Sequence, residues 1–165
     1  MCPVICAEMH CDKHVIKLIL ETAQMLCVVW HVSDPEHKIY DPPYKKTHLN
    51  HPCTKWARTS IDNYEWLCKL GKELCKEYTY RYGKVHKCEQ YINIMAELNP
   101  NLPSLGFTIP PQALPETYKD DDVVTAYRHY YFFEKYNLHS WKGKINGRNP
   151  PEWITEMYGV FGEKI

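Results

Sequence analysis

Residues 8–31 carry the longest helical rhythm in the chain, and that rhythm sets what the rest can pack against. Val15, Ile19, Ala23, Leu26 and Trp30 recur at about 100° per residue along one side of such a helix. The opposite side reads His10, His14, Lys17, Glu21 and Gln24, with Cys6 and Cys11 nearby. An amphipathic helix needs only some polar face, and interchangeable Lys, Glu, Gln and Ser would serve. Here a carboxylate, an amine and two imidazoles fall within a few turns of one another. Lys17 and Glu21 are four apart, so their side chains can meet. A carboxylate beside an amine is what imine formation or general acid–base work requires. An ordinary solvated face is the competing explanation of the same residues.

The rest of the pattern predicts a mostly α fold: a compact single domain of three main helices with long Pro-rich loops. The first main helix spans 7–31. Pro35, Pro42 and Pro43 then forbid regular helix. Asn50-His51-Pro52 is a helix start, with proline near the first turn where its missing N–H does no harm. Trp56, Ser60, Tyr64, Leu67, Gly71, Leu74 and Tyr78 continue it to about Gly83, with a break expected near Thr59-Ser60. A short helix is predicted over 87–98. Five prolines in 99–118 make that stretch an ordered loop. Asp120 to Asp122 can cap the third main helix, 123–138, and one short helix is expected at 152–158.

With 165 residues, 44% hydrophobic and 24% charged, the chain can bury a core without metal or disulfides. No apolar run approaches 18 residues, so no membrane span is predicted. The start lacks the basic-then-apolar layout of a secretory signal, and an intracellular protein is expected. The irregular spacing of eight cysteines favours reduced thiols, with Cys68 and Cys75 in the core. Net charge is zero, but residues 42–90 hold ten Lys or Arg against five acids. A local basic surface can bind phosphates even in a neutral chain.

Other groupings bear on chemistry. His10 and His14, four apart on one helix, have metal-ligand spacing, as do His48 and His51 with Cys53 nearby. The 47–52 run, at a loop-to-helix junction, suits a phosphate; a helix cap with two ordinary histidines explains it equally. Cys11 and Cys53 are candidate thiols, Cys53 in a first turn that favours thiolate. Most of the rings of Tyr127, Tyr130, Tyr131, Phe132 and Phe133 belong in a core.

Asp12-Lys13-His14-Val15 followed by Glu21 resembles the first helix of phage pyrimidine-dimer DNA glycosylases of the endonuclease V type. There a histidine likewise precedes the catalytic glutamate by seven residues. Residues 113–118 are similar to that family's Ile-Pro-Gln-Glu-Phe, and Pro151-Glu152-Trp153 through Tyr158-Gly159 to its Pro-x-Trp and aromatic-Gly tail. The chain also resembles phage and giant-virus proteins that share His-Pro-Cys-x-x-Trp (His51 to Trp56) and Glu-Tyr-Thr-x-Arg-Tyr-Gly-Lys (Glu77 to Lys84).

The resemblance implies a helical enzyme that grips duplex DNA, flips a base and attacks the sugar C1′ with an amine. The resulting imine permits strand cleavage at the abasic site, with no cofactor. Glu21 matches the catalytic glutamate. The attacking amine is either the α-amine of Cys2, exposed once Met1 is removed, or Lys17 beside Glu21. His14 orients the site. Lys45, Lys46, His48, His51, Arg58, Lys142, Arg148, Trp153 and Tyr158 are the expected DNA contacts. Two rivals stand beside this N-glycosylase with abasic-site lyase activity. One is a nucleic-acid-binding protein without catalysis, the other a metal enzyme built on His10 and His14. A viral source would place the protein in host cytoplasm or nucleus.

Overall fold

The computed structural model describes residues 2–162, and among them the chain forms seven α-helices and no strand. They are α1 (Pro3–Met9), α2 (Asp12–Ser33), α3 (Pro52–Ala57), α4 (Ile61–Tyr82), α5 (Glu89–Glu97), α6 (Val123–Lys135) and α7 (Glu152–Phe161). Short 3₁₀ turns lie at Glu116–Tyr118 and Tyr136–Leu138. The mostly α reading therefore stands, but the first two predicted main helices are each divided, while the third runs unbroken over 123–135 and tightens into the 3₁₀ turn at 136–138.

The first divides because His10 and Cys11 are extended, with ψ of 139° and 162°. Arg81, far along the chain and fully buried, explains the break. Its guanidinium donates to the carbonyls of Glu8 and His10 and to the Asp12 carboxylate, at 2.9, 2.9 and 3.0 Å. Ser140 Oγ and the Gly143 N–H also bind Asp12, so tertiary partners consume the groups a continuous helix would have used. The second divides at the expected Thr59-Ser60. Ser60 is an extended N-cap whose Oγ accepts from the N–H groups of Asp62 and Leu105. Asp122 caps α6 as anticipated, accepting from Val124 and Thr125.

Helix α4 is the hub, touching α1, α2, α3 and α5. Its main cluster gathers Ile19, Leu26, Trp30, Tyr64, Leu67, Leu74, Ile92 and Met95, all buried, each contributing about 1.5–3 kcal/mol by leaving water. The polar ends inside are matched: Trp30 Nε1–H donates to the Tyr64 hydroxyl at 2.8 Å, which donates to the Met95 carbonyl at 2.6 Å. A second cluster joins Cys11, Phe132, Trp141 and Ile154, so α6 and α7 pack on the α1–α2 junction. By length and composition α2 could cross a membrane, with a mean hydropathy of 1.5 over 18 residues. In this fold its apolar side is the centre of the core.

Candidate active site

His14, Lys17 and Glu21 share the outer face of α2, opposite the side that builds the core. Lys17 Nζ lies 3.2 Å from Glu21 Oε1, with the two side chains 66% and 42% exposed. Amine and carboxylate therefore meet where a large substrate can reach both. His14 is half-buried, and its Nδ1 is 2.9 Å from the hydroxyl of Tyr131 on α6. Burial lowers the His14 pKa, and the nearby charges of Lys135 and Lys17 lower it further, against the pull of Glu21. The imidazole is neutral at neutral pH.

His10 departs from the expectation. The break at residues 10–11 takes it off the helix that carries His14, so the four-residue spacing no longer describes one face. Its Nδ1 donates to the Cys6 carbonyl at 2.5 Å, and burial brings its pKa down to about 4. The rings of His10 and His14 still approach edge-on at 6.5 Å. Among the described residues no group of three or more His, Cys, Asp or Glu is arranged to hold a metal ion. The candidate thiols are poor nucleophiles: Cys11 is fully buried, and burial pushes the Cys53 thiol up. All eight cysteines are free.

Cys2 is exposed at the N-cap of α1, and α1 runs along α4. Among the described residues no hydrogen bond or ion pair joins Cys2 to Glu21. Met1 lies outside those residues.

The expected DNA contacts fall into two groups. Lys45, Lys46, His48 and Lys142 are exposed, and among the described residues no ion pair or hydrogen bond occupies their side chains. His48 sits in the left-handed region, φ 52°. The others are engaged in the fold. His51 is the N-cap of α3, its Nδ1 accepting from the Cys53 N–H at 3.2 Å. Arg58 donates to the Leu49 carbonyl at 2.7 Å. Arg148 grips both oxygens of buried Glu77 at 3.0 and 2.9 Å, reaches Glu8 at 3.1 Å and lies over the Tyr80 ring. Trp153 meets the Tyr131 ring edge-on, and the Tyr158 hydroxyl binds His139 Nδ1 at 2.6 Å.

Sequence reasoning missed Tyr131 and Lys135 as neighbours of this face, and Arg81 as the brace of the helix junction that leads into it. Tyr131 was one ring among several on α6, with nothing in its spacing to single it out. Arg81 did stand within the Glu77 to Lys84 run, an arginine among apolar helix positions. The family model for pyrimidine dimer DNA glycosylases matches residues 2–90, just over half of the chain and all of the α2 face. No curated protein and no solved structure matches.

Proposed function

The chain belongs to the pyrimidine dimer DNA glycosylase family and is a DNA-repair enzyme, and from that premise we propose that it cleaves damaged duplex DNA through an amine–sugar imine. The observation that carries this reading is the Lys17–Glu21 pair, amine and carboxylate 3.2 Å apart on an accessible face.

In the first step the amine, having passed a proton to Glu21, attacks C1′ of the deoxyribose. A C1′–N bond to the enzyme forms as the bond to the base breaks, and the base leaves with the glycosidic electron pair. Opening of the sugar, with Glu21 returning its proton to O4′ and the amine nitrogen giving up its extra proton to the departed nucleobase, yields the protonated imine and frees the carboxylate. A base then removes a C2′ proton, and the 3′ phosphate departs by β-elimination, which is the lyase step. Glu21 is positioned to serve as that base. Lys45, Lys46 and Lys142, whose ammonium groups have no partner among the described residues, supply positive charge for the phosphates. Such an enzyme acts in whichever intracellular compartment holds the DNA.

Borohydride reduction on a duplex oligonucleotide with an abasic site tests the proposal, followed by peptide mapping of the adduct. An adduct on Lys17 is the expected result. One on the α-amine of Cys2 would keep the chemistry and move the nucleophile to the segment where the family match begins. Absence of any adduct at high protein concentration would refute imine chemistry and leave a DNA binder.

A further inference from the structure

The hydroxyl of Tyr131 stands between two groups of the α1–α2 region. It accepts the Cys11 backbone N–H at 2.9 Å, a direction fixed because that group can only donate. Its own proton has two acceptors within reach, His14 Nδ1 at 2.9 Å and the Cys11 thiol. The imidazole nitrogen is by far the better acceptor. Burial keeps the phenol protonated and the His14 ring neutral. With Nδ1 accepting, a neutral imidazole carries its hydrogen on Nε2. Among the described residues that Nε2 has no hydrogen-bond partner.

The charged and titratable groups around the ring are Lys17 and Glu21 from α2, Lys135 from α6, His139 beyond α6, and His10 at the helix junction. Two ammonium groups against one carboxylate favour an anion beside His14. The Tyr131 ring itself is held from behind. It stacks on His139 at 5.7 Å and 16°, and His139 Nε2–H donates to the Tyr131 carbonyl at 3.2 Å. The Tyr158 hydroxyl completes the chain by donating to His139 Nδ1.

We propose that Tyr131 is a positioning residue for His14, locking the ring as the Nε2–H tautomer so that it donates to a phosphate oxygen of the DNA backbone. This rests on reading the α2 face as the active-site wall. It assigns a role to α6, outside the residues the family match covers.

Two-bond ¹H–¹⁵N spectra of the free protein report the tautomer directly. The Nε2–H form is expected in the wild type, with a mixture of tautomers in Tyr131→Phe, which keeps the stacking ring and loses only the hydroxyl. Single-turnover borohydride trapping should slow about tenfold or more in Tyr131→Phe, with DNA affinity held within about threefold. In a His14→Ala background the same change should cost less than about twofold, because the group it positions is gone. His14 protonated on Nδ1 in the wild type, an unchanged ring pattern in Tyr131→Phe, or independent effects in the double variant would each overturn the proposal. If Tyr131→Phe does not fold, the wild-type spectrum decides. A wild type that traps no DNA sinks the reading of the site instead, a separate outcome from the tautomer.

Discussion

Glu21 and Arg81 are both charged, and their surroundings assign them opposite duties. Glu21 is accessible and forms an ion pair with Lys17. Glu21→Gln should abolish adduct formation while DNA affinity stays within about twofold, since the amide keeps the shape and loses the proton acceptor. Equal loss of both would mark Glu21 as structural. Arg81 is fully buried among Glu77, Asp12 and two carbonyls, with Glu77 Oε1 at 2.6 Å. Burial alone would raise the Glu77 pKa, yet hydrogen bonds from Arg148 and Arg81 hold it below the usual carboxylate range. Arg81→Met removes one of those supports and the brace across the α1–α2 joint. Stability should fall by about 3–5 kcal/mol in urea titrations, the scale of breaking a buried pair from one side. A loss under about 1 kcal/mol would mean the joint does not depend on it.

At the scale of elements, the α2–α4 contact narrows at Gly71. A Cβ there would stand 2.9 Å from Thr22 Cγ2 and 3.1 Å from Ile92 Cγ2, both on buried, β-branched residues with little rotamer freedom. In an exposed helix Gly→Ala would gain about 1 kcal/mol. Here overpacking of about 1–3 kcal/mol opposes it. Gly71→Ala should therefore be no more stable than wild type, and adding Thr22→Ser, which deletes the clashing methyl, should recover stability in that variant. A plain gain in the single variant would show that the helices can part freely. The existence and type of the helices other than α1 were legible from spacing, prolines and caps, because those signals are local; α1, starting at Pro3, was not read as an element of its own. The division of the first helix was not, because its cause, Arg81, lies about seventy residues away in the chain. With that division went the shared face assigned to His10 and His14.

For the whole molecule, charge and protonation set how the fold responds to its surroundings. Phosphate contacts appear in the salt dependence of binding. Lys45→Ala and Lys46→Ala should each lower the slope of log K against log salt by about 1; unchanged slopes would place the DNA elsewhere. Burial holds His10, His14 and His139 below the usual histidine pKa, His10 at about 4. The unfolded chain then binds more protons than the folded one between about pH 4 and 6.5, so stability rises with pH across that window. It should be fully present above about pH 6.5 and fall as the solution is acidified, His10 contributing on the order of 1 kcal/mol per pH unit. Urea midpoints identical at pH 7.5 and 5 would contradict this. The amino-acid order alone dictated an α-helical chain and the meeting of Lys17 with Glu21, since both depend on residues three or four apart on one helix. Only the packed structure decided that Arg58 and Arg148 brace the fold and that Tyr131 reaches His14. Arg148 and Tyr131 meet partners from distant stretches of chain, and Arg58 turns back to a loop carbonyl nine residues earlier; no helical spacing encodes which of many tyrosines or arginines will arrive.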